Sequence, residues 1–239
     1  MQTVLSLSLL ARLLAQMMDP SLTVAQRNNA CFELRGSTES EVVATMRKAL
    51  DDVKVRACAG TNLRKAGAVE ELKDALADKN FEIRALAARE LGGFEKPEIL
   101  PLLTAAARDS QLLVGINAVE GLADYRDPVV IPYLLSLAKD GGLVGTAALD
   151  RALAFRDPRV LETARVLIGS KDVSDKLAAM RVIGAMGDEA DIPALRKIQE
   201  SETGMVSAAG RGFGLIPAIS LSRAAQTTIE KIGERKTAH

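Results

Sequence analysis

The chain has 239 residues, 48% of them apolar and 26% charged, which is enough apolar material for a sizeable core in a water-soluble protein. Lys plus Arg and Asp plus Glu each number 31, so the formal net charge is zero, and a strongly basic nucleic-acid binder or an acidic tail protein is excluded. Aromatics are 3%, Trp is absent and the one histidine is His239, so base-stacking platforms, histidine catalysis and His-rich metal sites lack their residues.

The first predicted element runs from Thr3 to Met18. Val4 to Met18 is nearly all apolar, but Arg12 falls inside it, no basic segment precedes it and no small-residue cleavage site closes it. It reads as neither a signal peptide nor a membrane span. A cytoplasmic location is the expectation, with an exported form whose signal is already removed as the alternative. Cys31 and Cys58 make no CxxC pair and stand among small apolar residues. They read as two buried, reduced thiols.

From Asp19 onward the chain repeats. Asp78-Lys79-Asn80-Phe81-Glu82-Ile83-Arg84-Ala85-Leu86-Ala87-Ala88-Arg89-Glu90-Leu91-Gly92 has copies starting at Asp19 and Asp51, and fainter ones at Asp109, Asp140 and Asp172. The closing apolar residues Leu34, Leu63, Leu91, Leu122, Leu153 and Ile183 are spaced by 29, 28, 31, 31 and 30 residues. Each copy predicts two helices. The recurring Asp is expected to cap the first. A proline opens the second, as at Pro97, Pro128 and Pro158, with Pro101, Pro132 and Pro193 one turn further on. No segment shows strand alternation, so the expected fold is all-α. A helix pair of this length buries its apolar faces only against neighbouring copies, which predicts an α-solenoid (an α-α superhelix) of about six helical hairpins.

The phrase Ile83-Arg84-Ala85-Leu86-Ala87-Ala88-Arg89-Glu90-Leu91-Gly92 resembles the short HEAT-like repeat of the phycobilisome-lyase type, and the resemblance covers roughly residues 19–200. It implies a single HEAT-like domain over 1–239. Residues 1–18 would be an amino-terminal half-repeat cap, 201–220 a Gly-rich insertion and 221–239 a capping helix and tail. That repeat serves many unrelated proteins, so it implies fold more than function.

Three functional readings follow. The first is a non-catalytic scaffold or adaptor that takes a protein or peptide on its concave face, which the second helices usually line in HEAT-type solenoids. The run Ile131 to Leu137 is more apolar than one buried stripe requires, and Tyr133 is its best anchor, with Leu137 beside it. Arg211 and Phe213 in the insertion are further candidates. The same run is equally explained by a helix buried on two sides. The second reading is a lyase-like component of the bilin-lyase type, for which no diagnostic residue is present. The third is phosphate or nucleic-acid binding along Arg27, Arg56 and Arg84, which share one repeat position, succeeded by Gly115, Thr146 and Lys176. Those arginines are alternatively internal partners of the repeat aspartates, the role that the resemblance implies. Zero net charge disfavours nucleic acid. Deoxyhypusine hydroxylases resemble this repeat class and hold a di-iron centre with His-Glu motifs, which this chain lacks. No cofactor, no metal and no catalytic residue is expected, no transmembrane segment is read, and monomer and dimer remain open.

Overall fold

The computed structural model describes residues 7–202, 205–206 and 219–237. The chain divides into two compact units, Met1–Arg126 and Asp127–His239. In the first, α1 (Leu7–Met18), α2 (Val24–Glu33), α3 (Ser40–Ala49), α4 (Arg56–Lys65), α5 (Val69–Leu76), α6 (Phe81–Gly92), α7 (Leu100–Ala106) and α8 (Leu112–Ala123) follow one another. The second holds α9 (Ile131–Asp140), α10 (Gly142–Ala152), α11 (Pro158–Leu167), α12 (Val173–Met186), α13 (Ile192–Ser201) and α14 (Leu221–Thr237). Each unit is an α-solenoid segment. First helices pack in series, α2 on α4, α4 on α6 and α6 on α8, and α10 packs on α12. The amino-terminal helix α1 packs on α2 and α3, and α14 packs on α12 and α13.

Local chemistry sets the helix boundaries. Thr23 and Gln26 form a capping box at α2, and the Asn80 side chain accepts from the Glu82 amide at α6. Prolines stand at the first positions of the short 3₁₀ turns Pro97–Ile99 and Pro128–Val130 and of α11, where a missing amide costs nothing. The recurring aspartate corrects the expectation. Only Asp172 caps a first helix, accepting from the Ser174 and Asp175 amides. Asp52, Asp78 and Asp109 lie earlier in the connection and accept the amide two residues on, from Lys54 (2.9 Å), Asn80 (2.9 Å) and Gln111 (2.8 Å). Each closes an Asx turn and still has carboxylate capacity for a cation from the preceding hairpin.

The repeat register is the core. Leu34, Leu63, Leu91, Leu122 and Ile183 are all buried, whereas Leu153 is half-buried in the 3₁₀ turn Leu153–Phe155. Burial of each such side chain contributes about 1.5–3 kcal/mol. Small residues let the helices approach: a Cβ on Gly92 would stand 2.3 Å from the Gly121 Cα, so α6 and α8 touch backbone to backbone. Tyr125, in the break after α8, is buried and its hydroxyl donates to the Lys96 carbonyl at 2.6 Å.

One expectation fails here. Cys31 and Cys58 are joined as a disulfide that links α2 to α4, with Cα atoms 6.4 Å apart. One repeat further on, the same pair of places is held by Gly60 and Leu86, where a Cβ on Gly60 would fall 2.7 Å from Leu86 Cδ2. A knob-in-hole contact of the repeat is thus covalent in the first pair of hairpins. The all-α expectation holds, with one two-residue bridge beside the helices: β1 (Met205–Val206) pairs antiparallel with β2 (Ile219–Ser220), joining the two ends of the insertion. Residues 207–218 lie outside the described residues.

Candidate functional site

The shared repeat position places Arg27, Arg56 and Arg84 on the first turns of α2, α4 and α6. Each guanidinium reaches backward to a backbone carbonyl and forward to a carboxylate of the next hairpin. Arg27 Nε donates to the Met17 carbonyl (2.7 Å) and Nη2 to Asp52. Arg56 Nε donates to the Leu50 carbonyl (2.6 Å) and Nη1 to Glu82. Arg84 Nη1 donates to the Asp78 carbonyl (2.8 Å), while Nε and Nη2 grip Asp109 at 2.8 and 3.0 Å. The carboxylates answer in their acidity. The Lys54 amide, together with Arg27, holds the Asp52 carboxyl below the usual range, and the bidentate Arg84 does the same to Asp109.

The next positions of that series differ. Gly115 offers no charge. Thr146 on α10 carries a buried hydroxyl without a hydrogen-bond partner. Lys176 on α12 restores the pattern and pairs with Glu202.

Sequence reading missed a second set of pairs. Arg47 reaches Asp78 (3.2 Å), Arg64 reaches Glu90 (2.6 Å), Arg165 grips Asp191 (2.7 and 3.0 Å) and Arg181 grips Asp150 (2.9 and 2.7 Å). Their separations, 31, 26, 26 and 31 residues, bracket the repeat period. Opposite charges one repeat apart were the available signal.

The partner-facing candidates fare differently. Tyr133 on α9 is half-buried. Leu137, one turn further on, is buried with Ile131, Leu134 and Leu135, so it belongs to the core and offers no surface. The apolar excess of this run is that of a helix covered on two sides. On α11, Val166 is 75% exposed. Arg211 and Phe213 lie outside the described residues.

Two shallow clefts flank α14. One, of about 450 Å³, is lined by Gly187, Asp188, Glu189, Ala190, Ile232, Arg235 and Lys236. Its polar groups are already engaged: Arg235 donates to the Gly184 and Gly187 carbonyls, and Lys236 pairs with Glu189 at 2.5 Å. The other, of about 430 Å³, mixes Leu177 and Met180 with Arg181, Arg223 and Lys231. Among the described residues no three His, Cys, Asp or Glu side chains gather as metal ligands, and no helix is long and apolar enough to cross a membrane.

Comparison with known proteins adds the following. Residues 69–154 match a family model described as HEAT repeats. No curated protein matches the sequence. Among solved structures, the chain is similar to human deoxyhypusine hydroxylase in complex with glycerol, at 14% identity over 94% of this chain and 96% of that one, with a TM-score of 0.39. It is similar to a designed armadillo repeat protein at 17% identity over 93% and 99%, with a TM-score of 0.40. The matched stretch spans α5 to α10, and the hairpins on either side keep its period and its charge pairs from one hairpin to the next. Residues 69–154 thus form a HEAT-repeat segment of the α-solenoid.

Proposed function

We propose that the protein is a non-catalytic repeat scaffold that binds a protein or peptide partner through the side presented by its second helices, around Tyr133. The observation that carries this reading is the commitment of Arg27, Arg56 and Arg84 to neighbouring carboxylates and carbonyls. With their donors aimed inward, the phosphate-binding alternative loses its groups, and the described clefts supply no acid–base constellation in its place. The Cys31–Cys58 disulfide supports an oxidising compartment over the cytoplasmic expectation, because such bonds persist where thiols are not kept reduced.

Affinity capture with the full chain and with Tyr133→Asp, compared by quantitative mass spectrometry, tests the surface. A charge at a half-buried anchor is expected to lower recovery of the specific partners by more than about tenfold. An unchanged partner set, from a variant whose circular dichroism matches the parent, dismisses the α9 surface.

A further inference from the structure

The two sulfurs of the Cys31–Cys58 bond have unequal surroundings. Cys31 on α2 is fully buried, whereas Cys58 on α4 is half-buried. Thiol–disulfide exchange requires a thiolate to reach one of the two sulfurs, and its rate depends on which one is attacked. From solvent, only the Cys58 side is open. The sulfur that leaves is then Cys31, and a hydrogen-bond donor stands beside it. Asn62 is itself buried, and its Nδ2 donates to the Cys31 carbonyl at 2.7 Å while lying 3.5 Å from Cys31 Sγ. The same nitrogen is 4.0 Å from Cys58 Sγ. A hydrogen bond to a thiolate favours the charged form, so Asn62 assists release of Cys31 more than release of Cys58. Access and hydrogen bonding select the same direction of attack.

The fold does not need the bond. One repeat further on, Gly60 and Leu86 hold the equivalent places by contact alone, and α4 packs on α6 as α2 packs on α4. Leu86 is half-buried, as Cys58 is. With the bond open, the first hairpins keep Leu34, Val42, Met46 and Leu63, each 2% exposed or less, and the Arg27–Asp52 pair. A covalent link added to a contact that neighbouring hairpins make without one is a removable staple.

We infer that Cys58 is a site of S-thiolation, at which a low-molecular-weight thiol opens the Cys31–Cys58 bond while the chain stays folded. The incoming thiolate forms a new S–S bond to Cys58 Sγ. The Cys31–Cys58 bond breaks, and its electron pair leaves on Cys31 Sγ, which takes a proton from water. A second thiolate then attacks the sulfur of the added group, forming the small-molecule disulfide and freeing Cys58. Two small thiols are oxidised to one disulfide as the protein disulfide is reduced to two thiols. The amino-terminal hairpins thus pass between a stapled and an unstapled state according to the thiol around them. This site is separate from the partner surface around Tyr133, and neither reading depends on the other.

The test incubates the oxidised full chain with reduced glutathione, quenches with N-ethylmaleimide and maps the adducts by mass spectrometry. Glutathione is expected on Cys58 and maleimide on Cys31. Circular dichroism is expected to stay unchanged as the bond opens. The opening rate is expected to rise with glutathione concentration and to stay flat in urea below the unfolding transition. A rate that climbs with urea from the outset, as the unfolded fraction does, overturns the inference, because attack then waits for unfolding. Glutathione on Cys31 in equal or greater yield overturns it as well. A second arm exposes Cys31→Ser and Cys58→Ser, each checked by circular dichroism, to glutathione disulfide. The thiol left in Cys31→Ser is expected to take up glutathione more than about tenfold faster than the one left in Cys58→Ser. Equal rates overturn the assignment to Cys58. The adduct map of the unmutated chain decides the direction of attack even if a variant fails to fold.

Discussion

Arg27 ends up buried although it is charged. Its residue is 2% exposed, and its desolvation is offset by the Met17 carbonyl on one side and the Asp52 carboxylate on the other. Removing the guanidinium leaves both acceptors short of a donor, although Asp52 retains access to water at 32% side-chain exposure. Arg27→Met is therefore expected to cost about 2–3 kcal/mol, at the lower edge of what breaking a buried pair does. Lys73→Met, which removes the exposed i,i+3 pair with Glu70, is expected to cost less than about 0.5 kcal/mol. Urea denaturation measures both. Similar losses would mean that the buried ladder adds nothing beyond a surface ion pair. The sequence marked Arg27, Arg56 and Arg84 as equivalent but left their role open. A single copy of the repeat shows only one half of each pair, since the acceptor lies a full hairpin later. The cysteine pair was illegible for the same reason: Cys31 and Cys58 are 27 residues apart and look unrelated until one hairpin is laid on the next.

At the scale of the element, helix types and order were legible because every first helix ends on a large apolar residue at a steady interval and every second helix from α7 onward opens near a proline. How closely two first helices approach was not legible, and glycine decides it. Gly92 and Gly121 meet with no room for a methyl group, and the atoms in the way are backbone. Gly60 also lacks room, but its obstacle is the end of the Leu86 side chain, which can rotate aside. Gly92→Ala is expected to push α6 from α8 and to cost about 1–3 kcal/mol or more despite the better helix propensity of alanine. For Gly60→Ala, the propensity gain of about 1 kcal/mol opposes a small repacking cost, and the net change is expected to stay within about 1 kcal/mol. Thermal or urea unfolding of the two variants side by side decides this. A milder effect at Gly92 than at Gly60 would contradict the backbone contact. The insertion was legible as a break in period, from the 49 residues between Ile183 and Ile232. The two-residue strands that join its ends were not, because such short segments carry no alternation to read.

Across the whole molecule, the charge pairs and the tyrosine anchor define a pH window. Asp19, Asp52, Asp78, Asp109, Asp157 and Asp191 all have their acidity strengthened by folding. The first cause is a side-chain bond from Ser21 for Asp19, from Arg84 for Asp109 and from Arg159 for Asp157, and a backbone amide for Asp52 and Asp78. At Asp191 burial pushes the other way, and Arg165 with the Asp188 amide outweighs it. Below the unfolded carboxylate value the unfolded chain binds more protons than the folded one, so this contribution is present above about pH 4 and is lost as pH falls through the lowered folded values. Tyr125 sets the other limit. Burial in the break after α8 raises its phenol to about 12, and the bond its hydroxyl donates to the Lys96 carbonyl favours the protonated form as well. Here the folded state holds the proton longer, so the contribution is complete below about pH 10 and is lost as pH rises toward 12. The unfolding midpoint is thus expected to be level between about pH 5 and 9 and to fall on both sides. Tyr125→Phe is expected to lower the plateau by about 1–3 kcal/mol, since it strands the Lys96 carbonyl, and to flatten the alkaline limb while leaving the acid limb in place. An alkaline limb equally steep in that variant would detach Tyr125 from the upper boundary of stability.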